Sequence, residues 1–389
     1  MADGTSSGPL AGTRILDLGG IGPPTFAGMV LADLGADVVR IDRIVAVADE
    51  RRASDFLLRR GARSVALDIR SADGLDALLR LVDAADVLIE GWRPGVAERL
   101  GVGPEVCLAR NPRLIYVRAT GWGQDGPYAQ APGHDINYIA TTGVLHALGR
   151  KSAPPAPPLN LVADYGGGGM LCLVGILSAL LETRTSGQGQ VIDAAMVDGV
   201  ALLSTLQFGQ RLLGEIGDER ESNRLDGGAP WYDTYETADG RFVAVAAGEP
   251  QFFKALLDLL GLDEDFGDPL DPTGWPAMRQ AFTAAFANFT REELEARVGD
   301  SSLCLSPVLT WAEAPEDRHN QARGVYVEHD GVLQPAPAPR FSRTPAAIRR
   351  PPPWPGEHSA EVLLDWGLPA ADVDRLLADG AVRQRPSVS

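Results

Sequence analysis

The sequence predicts an α/β protein in which helices cover both faces of a parallel β-sheet and a smaller domain follows. Three observations carry this prediction. Short apolar runs alternate with runs of helical length through the first 120 residues, as in parallel strands joined by helices. Two strand-like runs flank an Asp-Gly turn at 239–240, which is typical of a hairpin. Proline-rich segments then precede a last pair of helices.

The predicted elements follow the chain in order. Strands are expected at 14–18, 37–41, 64–69, 86–90, 114–119, 191–195, 230–237 and 241–247. Helices are expected at 26–34, 73–83, 95–100, 104–110, 139–148, from after the glycines at 166–169 to about 184, and at 198–213, 251–260, 275–286, 291–298, 359–366 and 370–377. Ligands of such sheets bind beyond the carboxyl ends of the strands, where Arg43, 90–93 and 120–123 lie.

Composition excludes several classes of partner. The 389 residues carry 35 basic and 52 acidic side chains, for a net charge of −17, which argues against nucleic acid and anionic membrane surfaces. Between Arg40 and Arg70, however, the sequence contains eight arginines and only five acidic residues. That stretch is either a solvated surface or a phosphate site, because guanidinium groups suit phosphate oxygens.

Targeting and redox signals are weak. Residues 1–8 lack the apolar region of a signal peptide, and the apolar run 169–181 is too short to span a bilayer. The three cysteines, Cys107, Cys172 and Cys304, have no metal-binding or disulfide spacing. We therefore expect a cytoplasmic protein with no membrane segment.

Three kinds of site are disfavoured. Gly20 and Gly22 follow a strand as in a dinucleotide site, but the third glycine is missing and Pro23 and Pro24 remove two N–H donors. The nucleophile elbow of hydrolases, G-x-S-x-G, is absent. The five histidines lack zinc-ligand spacing, so no metal site is predicted.

His134 and Asp164 form the most informative pair. His134 follows Gly133, and Asp164 lies two residues ahead of the glycines at 166–169; together they could supply a base and an acid to opposite faces of one carbon. From the residues alone, His134 could equally make a structural hydrogen bond, Asp164 could cap a helix, and Glu249 could lie in a surface loop.

Motifs along almost the whole chain resemble the class III CoA-transferase and racemase family, and within it the branch of α-methylacyl-CoA racemases. The matching segments are 18–23 (LGGIGP), 31–40 (LADLGADVVR), 86–90 (DVLIE), 93–95 (RPG), 111–116 (NPRLIY), 121–124 (GWGQ), 133–138 (GHDINY), 158–164 (PLNLVAD), 225–230 (LDGGAP) and 249–252 (EPQF). The transferases resemble the chain at Asp164 but usually carry an aromatic residue where His134 stands.

The resemblance implies a large Rossmann-like domain with a parallel sheet, a smaller α+β domain and an interlocked homodimer. The expected division is 1–197 for the first part of the large CoA-binding domain, 198–226 for a linker helix, 227–325 for the small domain, and 326–389 for the return linker and C-terminal part of the large domain. His134 and Asp164 would be the catalytic pair, and Glu249 would approach His134 from the partner chain.

The resemblance also implies where an acyl-CoA thioester binds. The implied contacts of the substrate are Arg43, Leu67, Asp68, Ile69, Arg70, Gly91, Trp92, Arg93, Arg99, Gly133, Asp135, Ile136, Asn137 and Tyr138. No separate cofactor is expected, because CoA is part of the substrate.

The expected activity is interconversion of (2R)- and (2S)-2-methylacyl-CoA through an enolate. The backbone of Asp135 is the candidate enolate stabiliser, and Asp164 must be buried beside apolar groups, so that its pKa rises above the ordinary value of about 3.9. CoA transfer with Asp164 as nucleophile is the alternative, and a CoA-ester-binding protein without activity is a third hypothesis. The acyl group is left open.

Overall fold

The computed structural model describes residues 8–49, 54–263, 265–299 and 303–386. Glu50, Arg51, Arg52 and both ends of the chain, 1–7 and 387–389, lie outside the described residues. The chain divides into two compact units. The first contains residues up to 142, then 159–203 and the chain from 324 onward, and the second contains 143–158 and 204–323.

The large unit is built on a seven-stranded sheet among the described residues. Its strands are β1 (Arg14–Asp17), β2 (Asp37–Arg43), β3 (Arg63–Leu67), β4 (Val87–Glu90), β5 (Ile115–Thr120), β6 (Gln190–Ala195) and, after five strands outside this sheet, β12 (Val382–Arg383). The order is β12-β3-β2-β1-β4-β5-β6, and only β12 pairs antiparallel. The part of this order that runs β3-β2-β1-β4-β5-β6 is that of a doubly wound sheet, and the predicted α/β fold class is confirmed.

Helices cover both faces of this sheet. In the large unit they are α1 (Pro23–Asp33), α2 (Ala72–Asp83), α3 (Val96–Arg99), α4 (Pro104–Arg110), α5 (Asp135–Thr141), α7 (Met170–Ser186), α8 (Met196–Leu203), α14 (Ser359–Asp365) and α15 (Ala370–Ala378). Side chains of a strand alternate between faces. Ile15 therefore packs against α1 and α7, and Leu16 packs against α2, α4, α14 and α15.

The strand order reverses between β1 and β4. The chain leaves β1 toward β2 on one side, while β4 and β5 extend the sheet on the other. The loops after the two strands meet, because the N–H of Gly91 donates to the carbonyl of Gly19 at 3.1 Å. Doubly wound proteins bind ligands at this reversal.

The smaller unit has its own core. A three-stranded antiparallel sheet, β7 (Tyr232–Glu236), β8 (Phe242–Ala246) and β9 (Leu305–Pro307), packs on its helices. The helices of this unit are α6 (Val144–Ala147), α9 (Thr205–Leu212), α10 (Pro250–Leu260), α11 (Trp275–Phe286), α12 (Arg291–Val298) and α13 (Arg318–Arg323). The hairpin predicted around the Asp-Gly turn is confirmed. A separate hairpin, β10 (Tyr326–His329) and β11 (Val332–Pro335), belongs to the large unit.

Two predicted helices differ from the structure. The helix expected over 139–148 begins four residues earlier and is two helices, α5 and α6, with Gly143 at φ 86° between them. The helix expected over 198–213 is also two helices, α8 and α9. The long apolar helix predicted to begin after the glycines at 166–169 is α7, which starts at Met170, and the glycines themselves lie in a π-helical segment, Leu161–Gly169, that leads into it.

Close packing explains the glycines. A Cβ added to Gly199 of α8 would lie 1.9 Å from the carbonyl oxygen of Gly167, and one added to Gly168 would lie 2.7 Å from Pro23. The π-helical segment also lengthens the helix. Leu161–Ser186 forms 26 continuous helical residues, long and apolar enough to cross a membrane by length and composition. The run 169–181 that was expected to be too short is part of this longer helix, and 44% of the helix's most apolar window is buried.

Candidate active site

His134 caps the N-terminus of α5. Its backbone is extended, with φ −132° and ψ 173°. The N–H of His134 donates to Oδ1 of Asn137 at 3.0 Å, and the N–H of Asn137 donates to the carbonyl of His134 at 2.8 Å. This reciprocal cap fixes the residue before the helix. The residue is exposed, so a bound molecule could reach its side chain.

Tyr138 anchors α5 through a buried ring. The ring is 5% exposed and meets the indole of Trp122 edge-on, with centroids 4.8 Å apart. A Cβ on Gly121 would lie 2.1 Å from this ring, and one on Gly133 would lie 2.8 Å from it. The two glycines are therefore required by the phenol that holds the His134 helix in place.

Asp164 lies in the π-helical segment and is half-buried. Its Oδ2 accepts a hydrogen bond from Nδ2 of Asn160 at 3.0 Å. Burial raises the pKa of Asp164, and the negative charge of Asp135 raises it further, while the Asn160 bond and the nearby His134 lower it. The net direction is upward, as the sequence analysis required of a proton donor, although the burial is less complete than predicted.

Asp135 connects the two predicted catalytic residues. Its side chain is 4% exposed, and its Oδ2 accepts the backbone N–H of Ala163 at 2.6 Å and that of Asp164 at 2.8 Å. Its Oδ1 is buried and has no hydrogen-bond partner among the described residues. One carboxylate therefore joins the first residue of α5 to the segment that carries Asp164.

The glycine-proline loop after β1 forms a further wall. Gly22 has φ 75°, a conformation that other residues rarely adopt, and a Cβ there would lie 3.0 Å from Oδ2 of Asp164. The Thr25 hydroxyl donates to the carbonyl of Gly20 at 3.0 Å. This segment is therefore packed against Asp164, which explains why it lacks the features of a pyrophosphate loop.

A cleft of about 810 Å³ opens at the carboxyl ends of β1 to β4. Six of the residues predicted to contact CoA line it: Arg43, Leu67, Asp68, Ile69, Arg70 and Trp92. Its other walls include Leu18 and Gly19 from the loop after β1, and residues 353–355.

The chain belongs to a known family by two comparisons. A sequence model described as CoA-transferase family III matches residues 10–359. The α-methylacyl-CoA racemase of Mus musculus is 44% identical to this chain, over 96% of this chain and 97% of the racemase. The α-methylacyl-CoA racemase of Homo sapiens is 42% identical to this chain, over 95% of this chain and 96% of the racemase. It is a member of CoA-transferase family III. The resemblance expected from the sequence is thereby confirmed.

The fold of the family member is found among solved structures. The crystal structure of a CaiB/BaiF family protein from Brucella suis superposes with a TM-score of 0.81 at 27% identity, over 92% of this chain and 100% of that one. This likeness extends over both units.

The arginine-rich stretch of this family member has two parts. Four of its arginines are held by carboxylates: Arg40 by Asp17, Arg59 by Asp55, Arg60 by Asp33 and Arg63 by Asp37. Arg43 and Arg70 line the cleft, are exposed, and make no ion pair within the described part of the chain. Among the described residues, four of these arginines are therefore used by the fold, and Arg43 and Arg70 are exposed in the cleft lining, where a phosphate could reach them.

The remaining predicted contacts lie apart from the cleft lining. Arg93 is exposed and its charge lowers the pKa of Tyr138, while burial and Asp164 raise it, so Arg93 lies beside the His134 helix. Gly91 has no room for a side chain, because a Cβ would lie 2.8 Å from Pro24. Arg99 is exposed on α3, and Ile136 is 40% exposed on α5.

Glu249 caps α10 in the smaller unit. Its carbonyl accepts the N–H of Phe253 at 2.8 Å, and its side chain is exposed. Its approach to His134 from a partner chain stays a prediction. Among the described residues, no group of three or more His, Cys, Asp or Glu side chains could hold a metal ion.

The sequence reasoning missed two residues of the site. Asn160 precedes Asp164 by four residues and donates a hydrogen bond to it. Residues four apart are neighbours on one side of a helix. Asn160 also belongs to the family motif at 158–164. Gly22 was considered only for phosphate binding, and no local signal in the sequence places it against residue 164.

Proposed function

We propose that the protein is an α-methylacyl-CoA racemase that interconverts (2R)- and (2S)-2-methylacyl-CoA thioesters. Identity of 44% and 42% to two such racemases over almost the whole chain supports the assignment. The observation that carries the mechanism is the shared carboxylate of Asp135, which holds the element bearing His134 and the element bearing Asp164 together.

The proton moves in two steps. In one direction the neutral His134 imidazole removes the α-proton, the C–H electron pair passes into the thioester enolate, and the protonated carboxyl of Asp164 returns a proton to the opposite face. The reverse direction exchanges the two roles. A raised pKa favours the protonated form of Asp164, which suits a donor.

The enolate requires stabilisation while it exists. The backbone N–H of Asp135 directly follows His134 in the chain, and we assign it to the thioester oxygen. The same residue thus serves twice, because its carboxylate is already engaged with the backbone of Ala163 and Asp164. Racemisation changes no oxidation state, so the chemistry needs no separate cofactor.

The CoA portion of the substrate is assigned to the cleft at β1 to β4. Arg43 and Arg70 supply positive charge for its phosphates, and Trp92 supplies an aromatic wall. The acyl end then points past Gly19 toward Gly22 and Asp164. Gly133, Ile136, Asn137 and Tyr138 act at the acyl end, and Gly91, Arg93 and Arg99 border the path between the two.

We assign the protein to an interlocked homodimer in which Glu249 reaches His134 of the other chain. Large apolar side chains are exposed on both units, as expected of surfaces that a second copy covers. They include Met170, Val174 and Leu181 on α7 and, separately, Leu206, Phe208 and Leu212 on α9.

Mixing two inactive variants tests this arrangement. A heterodimer of His134→Ala and Glu249→Ala chains would contain one site with both residues intact if they come from different chains. Recovery of activity on co-refolding, with a dimer mass by light scattering, is the expected result. A monomer, or no recovery, would contradict the shared site.

A reducing compartment such as the cytoplasm is proposed for the protein, without a membrane segment or nucleic-acid partner. Its three cysteines are unpaired, with Cys107 and Cys172 buried. The net charge of −17 repels both nucleic acid and anionic lipid surfaces.

One experiment decides between the two chemistries of the family. A single enantiomer of a 2-methylacyl-CoA is incubated in deuterated water with a free carboxylic acid present. The proposal expects deuterium at the α-carbon and loss of optical purity, both abolished by His134→Ala and by Asp164→Ala. CoA appearing on the added acid without exchange, and unaffected by His134→Ala, would instead indicate a transferase with Asp164 as nucleophile.

A further inference from the structure

A carboxylate is buried where the strand order reverses. Glu90 is the last residue of β4 and is fully buried. It stands in register with Arg118 on β5, and Arg118 Nε donates to Glu90 Oε1 at 3.0 Å. Arg118 also donates to Oε1 and Oε2 of Glu98 at 2.8 and 3.3 Å. The ion pair therefore ties β4 and β5 to α3.

The second oxygen of Glu90 reaches the cleft wall. Its Oε2 accepts the backbone N–H of Trp92 at 2.7 Å, a short charge-assisted bond. Trp92 lines the cleft together with Val96 and Leu100, which flank Glu98 in α3. Both ends of the Glu90 carboxylate are thus engaged, one with the sheet and one with the residue that faces the ligand.

The position of this wall is also fixed from the other side. Gly91 donates its N–H to the carbonyl of Gly19 at 3.1 Å, and Gly19 is itself held by Oδ1 of Asp17 at 2.8 Å. The loop after β4, whose Trp92 N–H is held by Glu90, is thus also tied to the loop after β1, and that loop continues to Gly22, which packs against Asp164.

Burying a carboxylate costs free energy that its partners only partly return, and apolar replacements of buried ion pairs are often at least as stable. Stability alone therefore gives a poor reason for Glu90, whereas the fixed position of Trp92 gives a direct one. We propose that Glu90 is a positioning residue that sets the Trp92 wall for the nucleotide portion of CoA, an inference that rests on the proposed function.

Substrate truncation separates this role from general support of the fold. The wild-type enzyme is first shown to racemise both a 2-methylacyl-CoA and the corresponding 2-methylacyl-pantetheine, which lacks the nucleotide. For Glu90→Ala we expect the KM for the CoA ester to rise about tenfold, equivalent to about 1.4 kcal/mol. We expect kcat to be little changed, and kcat/KM for the pantetheine ester to stay at the wild-type level.

Two further variants keep the test decisive. Glu90→Gln retains an oxygen that can accept the Trp92 N–H, so its KM for the CoA ester should lie close to the wild-type value. Asp33→Ala is the matched control, because Asp33 is equally buried and pairs with Arg60 through both oxygens but has no bond to the cleft. It should lower the melting temperature without changing the KM ratio of the two substrates.

A double variant tests whether Glu90 acts through Trp92. If it does, adding Glu90→Ala to Trp92→Ala should have little further effect on the KM for the CoA ester. Equal losses on the CoA and pantetheine esters in Glu90→Ala, or full additivity in the double variant, would overturn the proposal. Absence of racemisation by the wild type would overturn the proposed function itself.

Discussion

The carboxylate of Asp135 accepts the backbone N–H of Asp164 at 2.8 Å, and that of Ala163 at 2.6 Å. Residue 135 begins α5 directly after His134, so this hydrogen bond spans the two halves of the proposed proton-transfer pair. Its charge also acts on Asp164, because it raises the pKa of that carboxyl group. Asp135 therefore influences both the geometry and the protonation of the site.

Replacing Asp135 by Asn should lower the pKa of Asp164. The Asp135 charge disfavours ionisation of Asp164, so its removal makes Asp164 lose its proton at lower pH. In the direction in which Asp164 is the donor, kcat/KM falls as pH rises through this pKa. We expect that limb of the pH profile of α-proton exchange to move to lower pH. Asp374→Asn, at an exposed position of α15, is the control and should leave the profile in place.

Replacing Asn160 by Ala should have the opposite effect. Its side-chain N–H donates to Oδ2 of Asp164 and lowers the pKa of the carboxyl group. Without that donor the protonated form persists to higher pH, and the same limb should move upward. Shifts of both variants in one direction would show that the Asp164 carboxyl does not set this limb.

Replacing Gly121 by Ala should displace α5, the helix that follows His134. The added Cβ would lie 2.1 Å from the Tyr138 ring, and the ring or the strand end must move. We expect racemase activity to fall at least about tenfold, since misplacement of a catalytic group by about 1 Å can cost about a hundredfold. Gly209→Ala in α9, where a Cβ meets nothing within 4 Å, is the matched control and should gain about 0.5–1 kcal/mol of stability. Full activity in Gly121→Ala would contradict the anchoring role of Tyr138.

Removing either unpaired arginine of the cleft should weaken CoA-ester binding. Arg43→Ala and Arg70→Ala should each raise KM by an amount equivalent to about 1.5–3 kcal/mol, the usual contribution of a hydrogen bond to a charged group, and by less at high salt. Arg80→Ala removes an arginine that pairs with Asp372 away from the cleft. KM should be unchanged in that variant, as measured by titration of initial rates.

The parts of the fold predicted from sequence are those set by local periodicity. The strands of the parallel sheet and the helices α2, α4, α11 and α12 were predicted within one or two residues, since their apolar spacing is regular. Strands such as β12, with two residues, carry too little pattern to be found. The helix break at Gly143 is a local change of backbone to φ 86°, and the π-helical segment packs closely on residues distant in the chain; the apolar period contains neither.

The candidate site shows the same limit. His134 and Asp164 were found through family motifs, and the arginine excess through composition. Which arginines are available to a ligand depends on partners remote in the chain: Arg63 pairs with Asp365, 302 residues later, as well as with Asp37. The sequence could suggest a phosphate site, but it could not show which arginines form ion pairs within the fold.

The antiparallel strand β12 has a consequence for synthesis of the chain. It pairs with β3 and closes that edge of the parallel sheet, while α14 packs against β3. A ribosome therefore releases about 300 residues after β3 before the partners of that edge exist. Until then the nascent β3 is an open template for pairing with another chain. During synthesis the cleft therefore lacks its wall at 353–355. The unpaired edge of β3 is exposed over the same period, and chaperones must cover it.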